Sequence, residues 1–360
     1  MTRPIHGLLA ESGLPGRAAP FRHAGVAFSF IAAITACTGW QDRSLGALTD
    51  QEPSSTAVDP MSPFARLVGD EWRQTASSGT SMFHTWHWGP GKHSIRRMTD
   101  GSGAGGEPWR EVQVFYWHPE LRQVRGLVLS PFARGVSEGT ITFKGERAEG
   151  VFDLHQTGRR RRIGLRWAFD GPDRYRETLL EDSGAGGFKP LVEWEHVRSR
   201  PPATPRLRNV EGAKPSEHLK PLAPLLGHTW EADHGRSTIE WVPMADAVYA
   251  RIVSKDGEYL LDAYVYHHTG ANVLRCLALS QRGDVYEGDL AQLDGGALQL
   301  DLKGSGGDRR VVRLDFEEDG TVRQRDWSLT GTDRKLLLDV HHRKLSARDS
   351  KPAGEGQISP

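Results

Sequence analysis

Tyr116, His118 and Arg125 in one stretch, and Tyr266, His268 and Arg275 in another, are the residues of this chain best suited to hold a ligand. Arginine carries a fixed charge and a planar fork of donors that matches a carboxylate. In each stretch the arginine alternates in phase with two leucines, Leu127 and Leu129 or Leu277 and Leu279. Residues two apart on a strand share a face. If the leucines line an apolar interior, the guanidinium lies there too, near the strand's entrance. A buried guanidinium needs a partner. That partner is either an anionic ligand or an internal carboxylate such as Glu138 or Glu287; the remaining alternative is a position at the rim. The Tyr and the His of each stretch also share a face. Their presence in both copies points to a shared structural need rather than to two active sites, since a histidine beside a hairpin turn is ordinarily a satisfied capping residue.

Other chemistry is thinner. Phe83-His84-Thr85-Trp86-His87-Trp88 with His93 looks like a metal cluster, but His84 and His87 point to opposite faces of a strand and cannot share a coordination shell. No metal is expected. Gly101 to Gly106 contains GxGxxG, without the βαβ unit that a dinucleotide site requires, so a glycine-rich loop explains it. Arg159 to Arg162 is a run of four arginines, expected at a solvated turn. There is no GxSxG, HExxH or CxxC. Asp153, Asp170 and Asp173 are not paired by spacing with a base in both copies, so the reading leans away from an enzyme.

The elements that must position these residues come from a repeat. Val112 to Ser130 aligns without a gap on Asp262 to Ser280, placing Tyr116 on Tyr266, His118 on His268 and Arg125 on Arg275. Each copy is an alternating run, a turn and a second alternating run, which predicts a β-hairpin. Outside it, Leu67-Val68-Gly69-Asp70-Glu71-Trp72 matches Leu225-Leu226-Gly227-His228-Thr229-Trp230, Glu138-Gly139 matches Glu287-Gly288, and His196 falls on His342. With 41 glycines, 11 tryptophans and no long apolar helical face, the chain reads as many short strands joined by glycine turns. Each repeat, about 130 to 140 residues, suits one barrel of about eight to ten strands. Lys plus Arg equals Asp plus Glu, 46 each. That balance offers no electrostatic case for nucleic acid, and none is expected as a partner.

The apolar-apolar-Gly-x-x-Trp opening of each repeat, with the strand rhythm behind it, resembles the lipocalin-like, or calycin, β-barrels, in which a similar signature seals the closed end. The spacing departs from the Gly-x-Trp of classical lipocalins, so the likeness is to the broad superfamily. The resemblance implies two tandem antiparallel lipocalin-like barrels. It also implies, by analogy with fatty-acid-binding barrels, an internal arginine that meets a ligand's carboxylate. Haem-binding barrels of the nitrobindin type use one histidine in a late strand, and His196 and His342 are the residues a haem would use here. A lone histidine at a strand end is more often structural, and no cofactor is expected.

Residues Ala24 to Ala36 form an apolar run of 13 preceded by Arg22 and His23, and the run ends Ile34-Thr35-Ala36-Cys37. That length is too short for a membrane span and suits a signal peptide. The ending resembles the lipobox of bacterial lipoproteins, which implies acylation of Cys37. Thr38 in the next position implies sorting to the outer membrane. The expected organisation is a leader over 1–37, a tether over 38–60, a first barrel over 61–200, a proline-rich linker over 201–217, a second barrel over 218–348 and a disordered tail over 349–360. The expected function is membrane-anchored binding or carriage of a small, partly apolar ligand. The alternatives are a structural lipoprotein with solid barrels and, third, a barrel enzyme using a Tyr/His pair.

Overall fold

A computed structural model describes residues 59–76, 81–102, 108–131, 135–184, 186–199, 216–242 and 245–345. Cys37, the leader, nearly all of the expected tether, most of the expected linker and the expected tail lie outside them.

The chain is all-β. It forms two closed antiparallel barrels in tandem, each of ten strands in simple up-and-down order. The first barrel comprises β1 (Glu71–Ala76), β2 (Ser81–Trp88), β3 (Ser94–Ser102), β4 (Pro108–His118), β5 (Gln123–Ser130), β6 (Gly135–Lys144), β7 (Arg147–Gln156), β8 (Arg159–Phe169), β9 (Arg174–Asp182) and β10 (Phe188–Ser199). The second comprises β11 (His228–Ala232), β12 (Gly235–Val242), β13 (Ala247–Ser254), β14 (Tyr259–His268), β15 (Val273–Ser280), β16 (Val285–Gln292), β17 (Leu298–Gly304), β18 (Arg309–Phe316), β19 (Val322–Thr330) and β20 (Asp333–Lys344). Closure joins first strand to last, with Trp72 opposite Arg198 and Trp230 opposite Lys344. Closure leaves no sheet edge to pair with another chain.

The repeated opening motif does what its residue types require. A 3-10 turn, Ser62–Leu67 in the first repeat and Glu217–Leu225 in the second, folds across one end of each barrel. Phe64, Leu67, Leu219, Leu222 and Leu225 are fully buried there. Gly69 and Gly227 take φ of +104° and +75°, a turn that side chains with a Cβ disfavour. Trp72 and Trp230 follow, 1% exposed, and the Trp72 indole N–H donates to the Leu67 carbonyl at 2.8 Å.

Inside the first barrel an aromatic chain fills the plugged end: Phe64, Trp72, Trp86, Phe115, Trp167 and Tyr175. Phe64 and Trp167 meet edge-on at 6.2 Å, and Trp86 and Trp167 at 5.7 Å. The second lumen is packed with Trp230, Ile239, Val248, Leu261, Val265, Cys276 and Leu300 among others.

A third apolar cluster belongs to neither lumen. Val112, Val114, Tyr116, Leu127 and Leu129 of the first barrel pack with Ala247, Tyr264, Tyr266, Leu277 and Leu279 of the second. The outer faces of the two central hairpins are therefore buried against each other in a seam between the barrels. This corrects one expectation. Arg125 and Arg275 do share a face with the leucines, but that face looks outward. Alternation fixes which residues go together and leaves open which group faces in. Phe115, one residue out of phase with Tyr116, is the one that enters the first lumen.

Candidate functional site

The seam gathers all six residues singled out above. Tyr116 donates to Glu287 Oε1 at 2.8 Å, and Tyr266 donates to Glu138 Oε1 at 2.7 Å. Tyr116 is the repeat partner of Tyr266, and Glu138 of Glu287, so the two bonds are mates across a pseudo-two-fold axis, as in a symmetric dimer. Burial, then the neighbouring carboxylate, pushes both phenols well above their ordinary range. His118 and His268 close the adjacent turns. Nδ1 of His118 accepts from the Leu121 N–H at 3.3 Å, and Nδ1 of His268 accepts from the Ala271 N–H at 3.0 Å. Burial lowers both imidazoles below 6.5. Tyr116 and His118 point out of their barrel, so that hairpin puts no Tyr/His pair in the first lumen.

The two arginines part company. Arg275 stands opposite Asp289 across the strand pair and reaches it at 3.3 Å; it also lies 3.9 Å from Glu138 of the other barrel. Arg125 stands opposite Thr140 and forms no ion pair with the described residues. Its Nε is buried without a hydrogen-bond partner. Both arginines line a crevice of about 470 Å³ with His118, Glu287 and Lys303. A second inter-barrel contact is one-sided: Arg96 of the first barrel lies 3.4 Å from Asp262 and over the Tyr249 ring at 4.2 Å.

The first lumen holds a charged cluster that the sequence reading missed. Arg97 on β3 donates to Glu177 Oε2 on β9 at 2.6 Å and to Gln74 Oε1 on β1 at 2.7 Å. β3 and β9 lie four strands apart around the wall, so they meet only across the interior. His196 Nε2 lies 3.1 Å from Glu177 Oε2, and its ring stacks on Tyr175 at 4.1 Å. His84 Nε2 lies 3.1 Å from the Tyr175 hydroxyl. Burial is the largest influence on the Glu177 carboxyl and would raise it, but the Arg97 charge and the His196 contact together outweigh it and hold the group at about 2. Burial lowers His196 to about 4. His84 Nδ1, Arg97 Nε, Thr99 Oγ1 and Gln113 Oε1 are buried with no hydrogen-bond partner among the described residues. Register places Gln74, Thr99 and Gln113 further from the plug than Trp72 and Trp86, so the lumen is aromatic at its plugged end and polar beyond.

The second barrel is the internal comparison. Trp72 pairs with His84, which pairs with Thr99; Trp230 pairs with Ser237, which pairs with Ile252. By the same register Arg97 matches Ala250, Gln113 matches Ala263 and Glu177 matches Gln324. His342, the mate of His196, faces Gln324 Oε1 at 3.2 Å, and burial lowers it to about 3. The two terminal-strand histidines thus sit in hydrogen-bonding neighbourhoods inside the two barrels. Of the apparent metal cluster, His84 is fully buried and His87 is exposed, on opposite faces as the spacing requires.

No known family model matches the chain, and no curated protein matches it.

Proposed function

We propose that the chain is a lipid-anchored bacterial envelope protein of lipocalin-like build, whose first barrel binds a small, partly apolar ligand at the polar end of its lumen. One observation carries this reading. Barrel closure does not need the Arg97–Glu177 cluster, because the second barrel closes with Ala250 and Gln324 in those places. A buried charge pair stabilises a fold poorly compared with apolar packing, and four unpartnered polar atoms beside it add cost. Such a cluster is explained by a ligand that completes it. Arg97 already serves Glu177 and Gln74 with its two terminal nitrogens. The ligand's head therefore has to offer an acceptor to Arg97 Nε and a donor to Gln113 Oε1, with an apolar body against Trp86.

A second reading keeps the ligand on the seam. Arg125 lacks the cross-strand carboxylate that Arg275 has, which suits a ligand carboxylate in the crevice. Anchoring at Cys37, and placement at the outer membrane, are supported by the apolar run and the Ile34-Thr35-Ala36-Cys37 ending.

Native mass spectrometry of the full chain, extracted gently from its host, tests these readings. The first predicts a non-covalent mass that disappears in the double variant Thr99→Ile, Gln113→Ala, which installs second-barrel residues. The seam reading predicts loss in Arg125→Ala instead. A bare mass from wild type at every extraction condition would favour solid, structural barrels. An acylated N-terminal Cys37 is the expected covalent mass.

A further inference from the structure

Glu138, His155 and His268 each bring one ligand atom to within 4.8 Å of the others. Glu138 and His155 stand on β6 and β7 of the first barrel, and His268 ends β14 of the second. Two imidazoles and a carboxylate make a donor set that holds zinc in three positions and leaves a fourth open. The carboxylate oxygens divide their work. Oε1 of Glu138 accepts from Tyr266, while Oε2 lies 3.8 Å from His268 Nε2 and accepts no hydrogen bond from the described residues. The two imidazole rings are 4.6 Å apart and tilted by 47°. Gly270 packs against both: a Cβ there would meet His155 Nδ1 at 3.2 Å and His268 Cε1 at 3.3 Å. The group opens on a crevice of about 390 Å³ lined by His155, His268, Gly270 and Ala271, which gives access and room for a water.

Two comparisons sharpen the case. At the two-fold mate of this site, Glu287 and His118 recur, but Ser305 stands where His155 would be, two residues past Lys303 as His155 is past Asp153. The mate is one ligand short. A second trio, His218, Asp246 and His267, stacks its rings face to face at 3.6 Å and 7°. Their in-plane lone pairs run side by side and do not converge on one ion.

We propose that Glu138, His155 and His268 bind one divalent transition-metal ion, Zn2+ in the first instance, which ties the first barrel to the second. Coordination through His268 Nε2 moves the ring proton to Nδ1. The Ala271 N–H, now at Nδ1, keeps the His268 carbonyl as an acceptor at 3.1 Å. This site is separate from the first lumen and does not depend on a ligand there.

The test is calorimetric titration of the full chain, stripped with a chelator, with zinc chloride. One equivalent per chain is expected. His155→Ser, which copies the mate, weakens binding by about tenfold or more; His118→Ser at the mate leaves it unchanged. Cobalt substitution gives the wild type a tetrahedral d–d spectrum that His155→Ser lacks. His155 is only half-buried, and His155→Asn with circular dichroism guards against a folding defect. Absence of zinc binding by the wild type, or equal affinity in wild type and His155→Ser, would overturn the proposal.

Discussion

Tyr116 of the first barrel donates to Glu287 of the second, and Tyr266 of the second returns the same bond to Glu138 of the first, at 2.8 and 2.7 Å. A buried hydrogen bond to a carboxylate contributes about 1.5–3 kcal/mol. Tyr116→Phe and Tyr266→Phe should each cost about that much in urea denaturation, and by similar amounts because the bonds are mates. A loss in one variant alone would show that the seam's symmetry is geometric and not energetic.

Arg97 and Glu177 form a buried pair, 2% and 5% exposed at the side chain. Removing one partner strands the other charge, at about 3–5 kcal/mol. Arg97→Ala should therefore be severely destabilising. Arg97→Ala with Glu177→Gln, the residues of the second barrel, should recover most of the loss. Equal damage in the single and double variants would refute the charge-stranding account.

The sign of the pH dependence follows from the same cluster. His196 is held near 4, against about 6.5 in an unfolded chain. Below 6.5 the unfolded chain binds the extra proton, so this contribution is complete above 6.5 and is lost as pH falls towards 4. Glu177, held near 2, acts in the window from about 4.5 down to 2. His342 in the second barrel, near 3, adds to the first window. Stability should begin to fall below about pH 6.5, by up to about 3 kcal/mol from His196 alone. His196→Phe should flatten the urea midpoint between pH 6.5 and 4; an unchanged slope would remove His196 from the account.

Arg125 and Arg275 should differ without any ligand present. Arg125 has no ion pair to lose among the described residues, so Arg125→Ala should stay within about 0.5 kcal/mol of wild type. Arg275→Ala gives up a part-exposed contact with Asp289, worth up to about 1 kcal/mol. Thermal denaturation at low and high salt separates them, since only the Arg275 effect should shrink with salt.

The architecture was legible because it is written twice. The hairpin alignment, the Gly-x-x-Trp opening and the strand rhythm are each repeated, and one barrel of about eight to ten strands per repeat follows from them; the structure has ten in each. The orientation of the hairpin was not legible. Val112, Val114 and Tyr116 are apolar in one phase of the strand and Phe115 and Trp117 in the other, which is how a strand buried on both faces reads; with one face assigned to the lumen, the other implied a second burial partner. The lumenal cluster was hidden because Arg97 sits beside Arg96 and looks like half of a solvated pair. Arg96 crosses the seam to Asp262, while Arg97 enters the barrel. The available signal was the repeat itself: Arg97 falls on Ala250 and Glu177 on Gln324, an unequal exchange at equivalent positions. The His155 position was silent, because its two partners come from two other strands, one in each barrel.

Closure of each barrel by its first and last strands governs the order of events during synthesis. Trp72 cannot find Arg198, nor Trp230 find Lys344, until nearly the whole of each repeat has left the ribosome. These are contacts of high sequence separation, and the loop-closure entropy they demand slows folding. A nascent first barrel that has closed still presents Val112, Val114, Leu127 and Leu129 to water, because the surface that covers them belongs to the second repeat. The interval between the two closures is when this polypeptide is most exposed to self-association, and when a holding chaperone has most to protect.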